Sequence, residues 1–185
     1  MKRYHPVIAT LGPVGFVKKA PGTVGSFVAL VLAYLLLLCP FGIPLLWIAT
    51  LLVTLLGIVC SSHYMRDASA AHDAKEIVID EVAGMWLTLA VWHFWLIAVT
   101  GSWDAAGEIL ALEGANPLFL AIGFLCFRFF DIVKPWPISV ADRKIKGGFG
   151  VMLDDLLAGI AAGTVLYAIY LFWPLLTGEI GESSV

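Results

Sequence analysis

The stretch FRFFDIVKPWPISVADRKIKGGFGVMLDDLLAG, residues 127–159, governs how the rest of the chain is read. It begins inside an apolar helix that carries Arg128 and Asp131, three positions apart and therefore on one helical face. The helix ends at Lys134-Pro135-Trp136-Pro137, because each proline removes a backbone donor and restricts the residue before it. A polar loop punctuated by Gly147, Gly148 and Gly150 follows, where glycine lets the backbone approach a ligand closely. The chain then enters another apolar helix behind Asp154-Asp155. Ionisable groups are costly beside lipid, so this concentration of charge marks a functional site by default.

The surroundings of that stretch are those of a membrane protein. The chain has 185 residues, the length of one domain, with 61% hydrophobic and only 14% charged residues. Its mean hydropathy of +0.94 excludes an ordinary soluble globule. Seven Trp and eleven Phe suit a protein that marks its membrane interfaces with aromatic rings. Apolar segments fall at about 24–39, 44–60, 82–100, 117–133 and 156–176. A crossing helix needs roughly 17 to 25 apolar residues. The expectation is an all-α, polytopic membrane helical bundle of about five transmembrane spans, forming a single domain over 1–185. None of these segments reads as a cleavable signal.

Lys and Arg orient the bundle. Lys2, Arg3, Lys18 and Lys19 precede the first span, Arg66 and Lys75 join the second to the third, and Lys134, Arg143, Lys144 and Lys146 join the fourth to the fifth. The segments 40–43, 101–116 and 177–185 contain neither residue. The positive-inside rule then predicts a cytoplasmic N-terminus and an external C-terminus. Spans one, three and five would all begin at the cytoplasmic surface, where free backbone N–H groups and the positive ends of helix dipoles suit phosphate.

The connections between spans supply the remaining candidates. Before span one, Ala20-Pro21-Gly22-Thr23-Val24-Gly25-Ser26 can form a tight turn with Thr23 or Ser26 as helix cap; a sharper reading makes Thr23 a contact for phosphate or glycerol. Span three opens with Asp80-Glu81, followed by Gly84, which leaves room for another helix to come close. Capping alone would account for acids at a helix start, but these abut the apolar span directly. His63 and His72 lack a convincingly spaced ligand partner and read as solvated interfacial residues. His93 lies in an aromatic part of span three and reads as packing. Cys39, Cys60 and Cys126 have no paired spacing and read as small apolar residues, not a disulfide framework or a zinc site.

If Asp80, Glu81, Asp154 and Asp155 converge, their mutual repulsion demands a proton, a basic partner or a cation. Oxygen ligands of this kind suit Mg²⁺, which meets a protein through a few carboxylates together with substrate phosphate. With Lys134 and Arg143 nearby, the set points to metal-assisted phosphoryl chemistry on a membrane lipid, without choosing hydrolysis over transfer. A lipid headgroup phosphotransferase and a small ion or metal transporter remain as alternatives. The first would be expected to carry the DxxDGxxAR-type pattern of CDP-alcohol enzymes, which is missing; the second would place its acids at mid-membrane depth. No paired-His phosphatase pattern occurs.

Three blocks go further: Pro21-Gly22-Thr23-x-Gly25-Ser26, then Asp80-Glu81-x-x-Gly84-Met85-Trp86, then nearly all of residues 127–159. On these the chain resembles the phosphatidylglycerophosphatase A family, small membrane enzymes of bacterial lipid synthesis. The resemblance implies Mg²⁺-dependent hydrolysis of phosphatidylglycerophosphate to phosphatidylglycerol and phosphate at the cytoplasmic face of the inner membrane. The partners would then be a phospholipid and the membrane, with no nucleic acid. On this view Asp80, Glu81, Asp154 and Asp155 hold the metal. Thr23, Arg128, Lys134 and Arg143 contact phosphate, while Asp131 or Asp142 orients or deprotonates the attacking water. The blocks say nothing about His63 or His72.

Overall fold

The computed structural model describes residues 4–67, 75–113 and 116–177, and the regular secondary structure among them is all helical. A short helix α1 (His5–Ala9) and a 3₁₀ turn (Val14–Phe16) lead into α2 (Pro21–Leu37) and α3 (Gly42–Asp67). After them come α4 (Ile79–Thr100), α5 (Trp103–Glu113), α6 (Pro117–Val133), α7 (Ile138–Lys144) and α8 (Gly147–Thr177). By length and composition, Gly42–Arg66, Ile79–Thr100 and Gly147–Pro174 can cross a membrane. The other two expected spans are apolar helices of 17 residues each, α2 and α6, at the lower end of the crossing range.

Helix α4 is the axis of the bundle. Residues all around its circumference are buried, including Val82, Met85, Trp86, Leu89, Trp92 and Leu96, because α2, α3, α6 and α8 pack about it. Its approach to α8 is close and depends on missing side chains. A Cβ on Gly159 would lie 2.5 Å from the Gly84 carbonyl oxygen, and one on Gly163 would lie 2.4 Å from that of Thr88. A Cβ on Gly84 would in turn meet the Asp155 carbonyl oxygen at 2.7 Å and the Phe127 ring at 2.5 Å. The room expected at Gly84 is therefore filled by α8 and by Phe127 of α6. In a lipid environment such small-residue contacts replace the hydrophobic effect as the source of helix association.

Indole N–H groups tie further helices to α4. Trp86 Nε1 donates to the Ala29 carbonyl of α2 at 2.8 Å, and Trp47 Nε1 of α3 donates to His93 Nδ1 at 3.1 Å. Trp95 Nε1 donates to Thr164 Oγ1 of α8 at 3.1 Å. His93 is fully buried and belongs to this packing, as its aromatic setting suggested. The outward face of α3 exposes Ile48, Leu51, Leu52, Leu55, Leu56 and Val59, a surface that water would penalise and lipid would not.

Three local expectations are corrected. The outer connection 101–116 is not a plain loop: α5 occupies most of it, with Ser102 Oγ accepting from Ala105 N at 3.3 Å and with Ala106 and Leu110 buried, four apart on one face. The polar segment after Pro137 likewise contains a helix, α7. Most important for the site, α8 starts at Gly147, so Asp154 and Asp155 lie inside the helix instead of in front of it. Gly147 takes φ +80, and Gly148 and Gly150 then press against protein, not ligand. Their added Cβ atoms would meet Ile58 O at 2.3 Å and Ile145 O at 2.1 Å, respectively. Gly148 and Gly150 seat the first turn of α8 on α3 and on the residue that follows α7.

Candidate active site

The N-terminal ends of α2 and α4, the early turns of α8 and the C-terminal end of α6 meet at one end of the bundle. They enclose a cavity of about 910 Å³. All nine charged residues that the sequence assigned to the site reach its wall: Asp80, Glu81, Arg128, Asp131, Lys134, Asp142, Arg143, Asp154 and Asp155.

The deepest part is a carboxylate triad. Asp80 and Glu81 occupy the first turn of α4, where the helix dipole favours negative charge, and Asp80 Oδ1 accepts from the Glu81 backbone N–H at 3.1 Å. Asp155 comes in from α8, carried there by the Gly84–Gly159 contact just above it. One carboxylate oxygen from each of Asp80, Glu81 and Asp155 lies within 4.8 Å of the others. Asp155 is only 4% exposed. Its Oδ2 and Glu81 Oε2 are buried without a hydrogen-bond partner. Unpaired buried carboxylate oxygens carry a heavy desolvation cost, and a divalent cation between them would remove it.

Two cations flank the triad, each held by its own acids. Arg128 Nη1 donates to Asp131 Oδ2 one turn along α6 and to Ser26 Oγ at 3.2 Å, and stands 4.0 Å from Glu81 Oε1. Arg128 Nε is buried and has no partner, while the residue lines the cavity. Lys134 sits at the C-cap of α6 with φ +46, a left-handed conformation that carries a side chain only at some cost. Its ammonium donates to Asp142 Oδ1 of α7 at 2.6 Å and to Asp154 Oδ2 of α8. Burial alone would lower the Lys134 pKa, but the hydrogen bonds and charges of Asp142 and Asp154 outweigh it and hold the ammonium above its ordinary range. The Lys134 hydrogen bond holds the Asp142 carboxyl below its ordinary range.

The four acids grouped by sequence thus divide. Asp80, Glu81 and Asp155 face one another, whereas Asp154 turns to Lys134, with its other oxygen, Oδ1, buried and unpartnered. Arg143 lies at the mouth, its Nε bonded to Ser139 O at 2.9 Å. Thr23 neither caps α2 nor lines the cavity; α2 begins after Ala20 without a side-chain cap, and Pro21 and Gly22 form the wall instead. Ser26 likewise makes no cap: it donates to Gly22 O at 2.8 Å and receives Arg128. Gly22 is needed as it stands, since a Cβ there would fall 2.0 Å from Glu81 Oε1. Lys146, among the loop cations expected near the acids, joins the rim, as does Lys75, which the sequence did not assign to the site. His63 is exposed on α3 and binds the Val59 carbonyl through Nδ1, outside the cavity wall, and His72 lies outside the described residues.

Comparison with known proteins is consistent along most of the chain. The family model described as Phosphatidylglycerophosphatase A matches residues 7–170. A relative of that name from Escherichia coli is 36% identical over 159 residues, covering 84% of this chain and 77% of the relative. Another of that name, from Haemophilus influenzae, is 37% identical over 161 residues, covering 87% and 85%. A Bacteroides thetaiotaomicron protein with the provisional name phosphatidylinositol-3-phosphatase is 32% identical over 173 residues, covering 86% and 91%. No solved structure matches the chain.

Proposed function

The chain belongs to the phosphatidylglycerophosphatase A family, and from that premise we propose that it removes the terminal phosphate of phosphatidylglycerophosphate, with Mg²⁺, at the cytoplasmic face of the inner membrane. The observation that carries this reading is the triad Asp80, Glu81 and Asp155, with its unpaired buried oxygens, set beside Arg128 and Lys134 in one cavity. Phosphoryl transfer asks little covalent work of a protein and much positioning and charge stabilisation.

Asp80, Glu81 and Asp155 would hold the Mg²⁺, which when bound would act as a Lewis acid toward the phosphoryl group. The guanidinium of Arg128 and the ammonium of Lys134 neutralise charge on the equatorial oxygens, with Arg143 at the entrance. Asp131 holds Arg128 in place and Asp142 holds Lys134, so either carboxylate stands ready to orient the attacking water. Attack by water releases the lipid alcohol and inorganic phosphate. Single turnover in ¹⁸O-water with hydroxylamine trapping tests direct attack; a trapped acyl-phosphate adduct would replace the water with a carboxylate nucleophile.

The bundle crosses the membrane five times in this reading, with α2 and α6 as the two short crossings and the cavity on the Lys/Arg-rich side. In support, α2, α4 and α8 begin at the cavity end while α6 finishes there, as alternating crossings require. The lipid keeps its acyl chains in the bilayer while its terminal phosphate reaches Arg128 and Lys134. A second reading differs in headgroup only, and the Bacteroides relative favours it. Phosphate release by purified protein, with and without Mg²⁺, is the test. Phosphatidylglycerophosphate should be the best substrate among that lipid, phosphatidic acid and phosphatidylinositol 3-phosphate. Release of phosphate from none of them would remove the proposal.

A further inference from the structure

We infer that the site takes one divalent cation, not two, and that the Lys134 ammonium occupies the position of a second. The inference rests on the reading of Asp80, Glu81 and Asp155 as the cation pocket. It adds that Asp154 and Asp142 lie outside that pocket and hold Lys134.

The allocation follows from the contacts. Asp154 and Asp155 are neighbours in sequence, but adjacent side chains on an α-helix point about 100° apart. Asp155 therefore faces α4 and completes the triad, while Asp154 faces the end of α6. Between Asp154 Oδ2 and Asp142 Oδ1 the bridging positive charge is already present: Lys134 Nζ, hydrogen-bonded to both. It is brought there by the left-handed residue that ends α6, immediately before Pro135. Two-metal phosphatase sites place a second ion to clamp the leaving and attacking oxygens. A tethered ammonium supplies positive charge at such a position without a metal.

Charge balance agrees. Six carboxylates and five Lys or Arg side chains line the cavity, so it carries one net negative charge with all of them ionised. One divalent cation turns the sign to favour a phosphomonoester dianion. The orphaned oxygens of Glu81 and Asp155 point to a cation in the triad. Asp154 also has one buried unpaired oxygen, but its other oxygen is neutralised by Lys134 and it lies outside the three-carboxylate group.

Counting Mn²⁺ bound per chain tests this, using full-length protein in detergent, equilibrium dialysis and electron paramagnetic resonance of the free ion. Wild-type protein should bind one Mn²⁺. Glu81→Gln and Asp155→Asn should weaken that ion by about tenfold or more, whereas Asp154→Asn should keep it within about threefold. Lys134→Ala should admit a second, weaker Mn²⁺ between the released Asp142 and Asp154, and Lys134→Arg, which keeps the charge, should bind one. Retention of monodisperse elution and cooperative melting identifies the variants that are folded. Two ions in the wild type, an Asp154→Asn variant as depleted as Asp155→Asn, or a single ion in folded Lys134→Ala would overturn the inference while leaving a metal-dependent phosphatase intact. No Mn²⁺ in the wild type would instead remove the cation pocket itself, and this inference with it.

Discussion

At the scale of single residues, the site separates groups that look equivalent in sequence. Asp155→Asn and Glu81→Gln each remove a charge from the triad, and phosphate release should fall at least about a hundredfold, the order seen when one group stabilising the transition state is lost. Both proteins should insert and purify normally, since the substitutions relieve repulsion among buried acids. Lys144→Ala is the contrasting case: Lys144 ends α7 outside the cavity wall, and its loss should change the rate by no more than about twofold at fixed salt. The Lys134–Asp142 contact has a defined pH window. Asp142 is depressed by Lys134, so its stabilising contribution is present above the ordinary Asp value of about 3.9 and disappears as pH falls through the lower folded value. Lys134 is raised, so its contribution is complete below about 10.4 and is lost only as pH rises through the higher folded value. The melting-temperature difference between wild type and Asp142→Asn should therefore stay flat from about pH 5 to 9 and shrink below about pH 4. A difference that grew on acidification would contradict the pairing.

At the scale of elements, the packing of α4 on α8 decides whether there is a site at all. Gly84→Ala would push a methyl group against the Asp155 carbonyl and the Phe127 ring, and backbone cannot yield as a flexible side chain can. The expected cost is about 1–3 kcal/mol, read as a lower melting temperature, together with a fall in turnover because Asp155 moves with α8. Turnover at the wild-type level in a destabilised Gly84→Ala protein would show that the two helices can separate without disturbing the triad. The same elements show what patterning can and cannot reveal. Apolar runs marked out α2, α4 and α6 to within three residues and the start of α3, whose polar last turns run on to Asp67, and the prolines after Lys134 ended α6 where expected. The start of α8 was missed by nine residues, because Gly147, Gly148 and Gly150 carry the composition of a loop. Gly148 and Gly150 are glycines because Ile58 O and Ile145 O crowd the first turn of the helix, a tertiary reason that no local pattern encodes. α5 was missed for a related reason: its helical face is recognisable only against the α4 surface that buries Ala106 and Leu110.

For the molecule as a whole, a cation would join α4 to α8 at the open end of the bundle and so stabilise the fold as well as the reaction. A ligand that binds only the folded state at a hundred times its Kd contributes about 2.7 kcal/mol. Mg²⁺ should accordingly raise the melting temperature of wild-type protein in detergent and leave that of Asp155→Asn nearly unchanged; equal shifts in both would mean that the ion acts elsewhere. The helical class, the membrane-suited composition, the charged stretch at 127–159 and the identity of the acids and bases were all determined by the sequence alone, since periodicity, proline and the cost of charge beside lipid act locally. Which acid serves which cation was decided only by the tertiary structure. Asp154 and Asp155 diverge by the pitch of α8, and the rotation of α8 against α4 is set by Gly84, Gly159 and Gly163, so contacts between distant residues assign one carboxylate to the triad and its neighbour to Lys134.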